Sequence, residues 1–238
     1  MLTGKKIIIF DMDGTLIDSV GVWNEVDRRF IAALGGNAEN VDVQATRDAK
    51  LREFKSAGDP YRKYCGYMGA KYGSSLSPEE LVKLRYAISV DLVTNVVDYK
   101  PDAEIFLYKL KEMGFTLLIA STTKRTNMEI YRTKNLNTLR KAPPDEIFSA
   151  IYTREDAKEI KPSPEIYERI LREWNVLPEE CLIFEDSLVG VEAANNAGIE
   201  VIAMYDRYAD SDREAINART KAHFNTYKEV LRAIGAEK

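Results

Sequence analysis

Apolar residues run almost unbroken from Ile7 to Met12, and the single interruption is Asp11. A continuous run of this kind predicts a strand buried on both faces, as in parallel sheets. Beyond it the pattern changes. Between Ile17 and about Asp98 no strand pattern stands out. There Trp23, Val26, Phe30, Ile31 and Leu34 recur at helical spacing, and Gly35-Gly36 ends that helix. Ser77-Pro78-Glu79-Glu80 predicts a helix start, with Ser77 as N-cap, Pro78 in the first position and Glu80 completing a capping box. That helix should run towards Val96. Tyr61, Tyr64, Tyr67, Met68 and Tyr72 predict a further short helix, whose tyrosines serve more readily as packing between helices than as a substrate surface.

After Lys100-Pro101 helices and strands alternate. Helices are predicted over 103–113, 124–134, 164–174 and 187–197, and strands over 115–120, 150–152, 181–184 and 201–204. The tail, 209–235, reads as mostly helical, with a marginal strand at 222–224. Such alternation predicts an α/β fold, a Rossmann-like doubly wound parallel sheet with helices on both faces. One strand precedes the helical segment and the others follow it. Residues 1–16 and 99–238 are therefore expected to form the α/β core, and 17–98 an inserted all-helical cap domain. A cap on two linkers beside a strand-end cleft is suited to open and close over a ligand.

The chemistry gathers where the strands end. Asp11 falls at the carboxyl end of the first strand, where open α/β sheets bind their ligands. Asp13 follows two residues later, and Gly14 allows a tight turn. Two acids so close repel unless a cation or a shared proton intervenes. Ser121-Thr122 follows another strand, Lys161-Pro162 a third, and Glu185-Asp186 a fourth. An acidic pair before a helix also suits the helix dipole on its own. Four acids on one sheet edge point to a hard divalent cation such as Mg2+. A lysine and hydroxyls beside it suit a phosphate.

Composition narrows the classes. The 238 residues carry a net charge of −4, so no general basic field for nucleic acid is present, while a local phosphate site remains open. Two cysteines, Cys65 and Cys181, and the lone His223 make a His/Cys zinc site a poor fit, and the thiols read as free in a reducing compartment. Residues 1–6 lead straight into the first strand without the pattern of a signal peptide, and no apolar run is long enough to span a membrane. The expectation is a cytoplasmic enzyme.

Taken in order, Asp11-Met12-Asp13-Gly14-Thr15, Ser121, Lys161-Pro162 and Glu185-Asp186 resemble the motifs of the haloacid dehalogenase superfamily. The subgroup resembled is the one with a helical cap inserted after the first motif. The run from Phe184 to Ala194 matches at almost every position. The resemblance implies that Asp11 attacks a phosphoryl group to form an aspartyl-phosphate, with Asp13 as general acid and base. It implies Mg2+ held by Asp11, Asp186 and the backbone carbonyl of Asp13, with Glu185 ligating or ordering a metal water. Ser121, Thr122 and Lys161 would bind phosphoryl oxygens, and Lys161 would also pair with Asp11. Within the superfamily Asp13 favours phosphoryl chemistry over halide displacement, which needs no proton donor. Mutases of the β-phosphoglucomutase type commonly carry a histidine where this chain has Trp23, a residue suited to packing. The expected function is a Mg2+-dependent phosphatase of a small phosphorylated metabolite, such as a sugar or polyol phosphate, without nucleic-acid or membrane partners. A sugar-phosphate mutase and a non-catalytic binding module are the alternatives. Arg47, Lys50, Arg52 and Lys63 are the cap cations that could reach a substrate, although such residues more often stand solvated on a surface.

Overall fold

The computed structural model describes residues 1–54 and 59–236, apart from the side chains of Asp48 and Arg52. The chain divides into two units, Met1–Ser19 with Val97–Lys238, and Val20–Val96. The first strand, β1 (Ile7–Phe10), belongs to the larger unit. Among the described residues the smaller unit then holds four helices, α1 (Val20–Ala33), α2 (Val43–Glu53), α3 (Pro60–Lys71) and α4 (Pro78–Asn95). Returning to the larger unit, the chain forms α5 (Ala103–Glu112), β2 (Thr116–Ala120), α6 (Arg125–Thr133), α7 (Leu136–Lys141), α8 (Pro144–Ile147) and β3 (Ala150–Tyr152). It continues through α9 (Glu165–Trp174), β4 (Cys181–Glu185), α10 (Leu188–Asn196), β5 (Glu200–Met204), α11 (Arg213–Ala218), β6 (Ala222–Phe224) and α12 (Tyr227–Ala233).

All strand pairs are parallel, in the order β3-β2-β1-β4-β5-β6. This is the doubly wound, Rossmann-like sheet that the alternation predicts. β1 is central because all four of its residues are apolar and buried. One face of the sheet packs Ile7, Ile9, Leu118, Ile183 and Val201 with Ile166, Ile170 and Val191. On the other, the Phe10 and Phe184 rings stack at 5.1 Å and Phe106 meets them edge-on at 6.1 and 5.2 Å. Such aromatic clusters add geometric preference to burial. The register aligns Phe10 with Ile119 on one side and Phe184 on the other. Strand order reverses about β1, so the residues just past these three ends share the crevice where such sheets take ligands.

Two chain crossings lie side by side in the larger unit. Asp18 donates its N–H to the Asp98 carbonyl at 3.0 Å, and Lys100 donates to Leu16 at 2.8 Å. Ile17 and Tyr99 form an antiparallel bridge between them.

The smaller unit has its own core of Phe30, Ile31, Leu34, Val43, Tyr64, Cys65, Met68 and Leu81. Tyr64 is fully buried, as packing tyrosines should be, whereas Tyr61 is exposed. α4 starts on the full Ser77–Glu80 capping box. α2 has no counterpart in the sequence pattern, because its few apolar residues make no helical stripe. It is held instead by a charge. Arg47 is buried rather than solvated, and donates to Asp27 at 2.7 Å and Asn24 at 3.1 Å. Arg85 reaches the same carboxylate at 2.9 Å. Lys50 pairs with Glu53 and Lys63 is exposed, while the Arg52 side chain lies outside the described residues. Among the described residues no helix is long and apolar enough to cross a membrane.

Candidate active site

The loop after β1 turns sharply at Gly14, whose φ of +84° lies in the left-handed region. A Cβ there would also stand 2.3 Å from Asp186 Oδ2. Both the turn and the approach of Asp186 therefore require glycine. Thr15, next in the loop, donates its hydroxyl to Asp186 Oδ1 at 2.7 Å.

Lys161 joins the strand ends. Its ammonium donates to Asp11 Oδ1 at 2.6 Å, Glu185 Oε1 at 2.8 Å and the Ala120 carbonyl at 2.9 Å. Those three bonds use all the donors of an ammonium. Glu185 is equally committed. Its Oε2 accepts from the N–H groups of Asp186 and Ser187 at 2.7 and 2.8 Å and from the Ser187 hydroxyl at 3.0 Å.

The charges do not balance. Asp11, Glu185 and Asp186 are all buried beside one buried lysine. Burial pushes the Asp11 carboxyl up to about 7; Lys161 opposes that rise, while Glu185 and Asp13 add to it. Burial, then Glu185 and Asp11, hold Asp186 well above the usual carboxylate range, against the Thr15 hydrogen bond. For Lys161, burial alone would depress the ammonium, but Asp11 and Glu185 outweigh it and hold the group well above an ordinary lysine. The Asp11–Lys161 pair is thus perturbed unequally. The lysine faces two acids and keeps its charge, whereas each acid shares one cation with its neighbours.

Asp13 is held by hydroxyls. Its Oδ1 accepts from Ser19 at 2.6 Å and from Tyr131 at 3.3 Å, and its Oδ2 accepts from Thr123. Ser121 is buried, and its Oγ accepts from the Thr123 N–H at 3.1 Å. No acceptor among the described residues takes the Ser121 hydroxyl proton, so it is free to donate. Thr122 is exposed. Ser121, Thr122 and Lys161 line one small pocket together with Thr153 and Arg154.

The structure therefore joins Asp11, Lys161 and Glu185 by direct bonds, with Asp186 beside them and Ser121 and Thr122 on a shared pocket wall. Asp13 is tied to a separate set of hydroxyls. Among the described residues no three His, Cys, Asp or Glu side chains form a ready-made cation cage.

A family model described as haloacid dehalogenase-like hydrolase matches residues 8–204. The chain belongs to the haloacid dehalogenase-like hydrolases. A phosphorylated carbohydrates phosphatase of Thermotoga maritima is 30% identical over 197 residues, 83% of each chain. Among solved structures, a β-phosphoglucomutase-like protein of Thermotoga maritima superposes with a TM-score of 0.78 at 26% identity, covering 97% of this chain and 98% of the other. CbbY from Rhodobacter sphaeroides, solved with phosphate, superposes with a TM-score of 0.70 at 25% identity, covering 95% of this chain and 96% of that one. Membership in the haloacid dehalogenase-like hydrolases makes this chain an enzyme of the hydrolase class and accords with its doubly wound fold.

Several residues around the motifs were not singled out by the sequence. Ser19, Thr123 and Tyr131 meet at Asp13 only because the loop after β1, the loop after β2 and α6 converge. A weak signal existed for Thr123, which lies two residues past Ser121. Nothing local marks Tyr131, which reads as an ordinary apolar-face residue of α6.

Proposed function

We propose that this hydrolase is a Mg2+-dependent phosphatase of a small phosphorylated carbohydrate or polyol, working through an aspartyl-phosphate on Asp11. The observation that carries the reading is the bond pattern at Asp11. Its Oδ1 is tied to Lys161, while Oδ2 has no partner among the described residues. A carboxylate oriented by one oxygen and free at the other is arranged as a nucleophile. The names of the relatives, a phosphatase of phosphorylated carbohydrates and a phosphate-bound CbbY, support the substrate class.

The donor set fits a cation. Three buried carboxylates gather there, only two of them bonded to Lys161, and the donors are all hard oxygen. Asp11, Asp186 and the backbone carbonyl of residue 13 would hold Mg2+. Only two of these are side chains, which accords with the lack of a three-side-chain cage. Glu185, with both oxygens engaged, serves better to anchor Lys161 than to ligate directly. Charge makes the cation necessary. Two like unit charges 3.5 Å apart repel by about 5 kcal/mol at an effective dielectric of 20. Lys161 already faces two acids, so it cannot also offset an incoming phosphate. Bound Mg2+ would supply that missing charge.

Within the chain, Lys161 holds Asp11 in line for attack. The free Ser121 hydroxyl, with Thr122 beside it, donates to phosphoryl oxygens. Asp13 gives a proton to the leaving oxygen and later takes one from the hydrolytic water. Its three hydroxyl partners fix the orientation of that carboxyl group. Residues 17–98 would be the inserted cap domain of this hydrolase.

Phosphate release from a panel of sugar and polyol phosphates, with and without Mg2+, tests the reading. Turnover is expected with Mg2+, and Asp11→Asn is expected to abolish it in a folded protein. Activity in that variant near wild type would refute Asp11 as nucleophile. Conversion of β-glucose 1-phosphate to glucose 6-phosphate faster than phosphate release would favour a mutase.

A further inference from the structure

A buried tyrosine from the far end of the chain reaches the motif loop. Tyr227, the first residue of α12, is 1% exposed, and its ring lies 5.5 Å from that of Phe106. Its hydroxyl donates to the main-chain carbonyl of Thr15 at 3.2 Å. Thr15 in turn donates to Asp186 Oδ1 at 2.7 Å. Two hydrogen bonds therefore lead from α12 to a carboxylate assigned to the cation.

The geometry gives the relay a direction. With Oδ1 fixed by Thr15, the rotation of the Asp186 carboxylate is set, and Oδ2 is the oxygen without a hydrogen-bond partner among the described residues. That same Oδ2 crowds the face of Gly14, the residue after Asp13. The loop is pinned on either side of Thr15, since Gly14 donates to Ile17 at 3.0 Å and Leu16 donates to Met12 at 3.0 Å. Thr15's own carbonyl has Tyr227 as its hydrogen-bond partner. The side chain that aims Asp186 thus hangs from a peptide group that α12 holds in place.

We propose that Tyr227 is a positioning residue for the divalent cation, acting through Thr15 to fix the direction in which Asp186 presents Oδ2. This rests on the cation reading of the proposed function. Groups that orient metal ligands from behind commonly govern metal affinity by an order of magnitude or more. A merely structural Tyr227 would act through its ring against Phe106, and Tyr227→Phe keeps that ring.

The test is Mg2+ binding to the full chain by titration calorimetry, with thermal melts of the metal-free proteins as a folding control. Tyr227→Phe is expected to fold and to weaken Mg2+ binding by about tenfold, the low end for such groups. Its kcat should return to near wild type at saturating Mg2+. Thr15→Val should weaken binding at least as much, and Thr15→Ser, which keeps the hydroxyl, should restore it. The double variant Tyr227→Phe/Thr15→Val should bind no more weakly than Thr15→Val alone, since both cut one relay. Wild-type affinity in Tyr227→Phe, or effects of the two substitutions that add in full, would overturn the inference and leave the phosphatase reading standing. A wild-type protein that binds no Mg2+ would overturn both.

Discussion

Gly190→Ala should damage the site without altering any group that meets substrate. Gly190 lies in the first turn of α10. A Cβ at that position would stand 1.7 Å from Glu185 Oε1, 2.0 Å from its carboxyl carbon and 2.5 Å from Oε2. Glu185 cannot simply swing aside, because it is buried. Its carboxylate is fixed by Lys161, the N–H groups of Asp186 and Ser187, and the Ser187 hydroxyl. Displacing it leaves Lys161 short of one partner and two main-chain donors unpaired. Breaking a buried ion pair on one side costs about 3–5 kcal/mol. Alanine gives back about 1 kcal/mol of helix propensity. The net loss is then about 2–4 kcal/mol, which for a chain of this length corresponds to a fall in Tm of roughly 5–15 °C. Turnover should fall as well, because Lys161 would lose one of the three bonds that fix it beside Asp11. Gly66→Ala is the matched control. It lies inside α3, where an added Cβ would meet Pro78 Cγ at an ordinary contact distance of 3.9 Å. That variant should gain up to about 1 kcal/mol. Melting curves with phosphatase assays decide the matter. A Gly190→Ala protein that melts and turns over like wild type would refute the claim that Glu185 is locked.

Three further outcomes are expected. In EDTA the melting temperature should fall as pH rises from about 5 to 8. Asp11 and Asp186 have raised folded values, so the native state holds protons that the unfolded chain has already released, and each contributes a slope of up to about 1.4 kcal/mol per pH unit. Saturating Mg2+ should flatten that slope, and a melting temperature that rises across the window in EDTA would contradict the charge imbalance. Burial pushes the thiols of Cys65 and Cys181 up to about 11, so at pH 8 about one in a thousand is thiolate and neither should react with Ellman's reagent within minutes until guanidinium is added. Ser77→Ala should cost about 1 kcal/mol by removing the N-cap of α4, read as a lower Tm, and no change would mean the capping box adds nothing.

The larger unit was legible because its signals are local. The sequence pattern predicts strands over 150–152 and 222–224 with the observed bounds, and the other strands differ by a residue or two. The ends shift for a physical reason. β1 stops at Phe10, since past the Asp11 N–H, which still donates to the Phe184 carbonyl at 3.0 Å, the chain leaves the sheet and turns at Gly14. The sequence pattern does not predict α7 and α8. They are short, and α7 is started by Asn135, whose side chain accepts from the N–H groups of Asn137 and Thr138, a cap without an apolar stripe behind it. α2 escaped for the reason given above, that it is anchored by Arg47 on Asp27. Asp11, Ser121 and Glu185 could be found one by one, since each directly follows an apolar run, whereas Lys161 follows the polar stretch 153–160. The partners that orient them could not. Thr15 to Asp186 spans 171 positions and Tyr227 to Thr15 spans 212, and no local pattern encodes a contact at that range.

The paired crossings at Leu16–Asp18 and Asp98–Lys100 make the helical insert a graft on a clipped stalk. Because the two stalk segments are bonded to each other, the cut ends of an excision at Val20 and Val96 are held near one another by the parent scaffold itself. A few glycines should suffice to rejoin them, and foreign helical bundles with neighbouring termini should be accepted at the same place. The β-layer would need no rewiring, which frees the insert to diversify while β1 stays as it is.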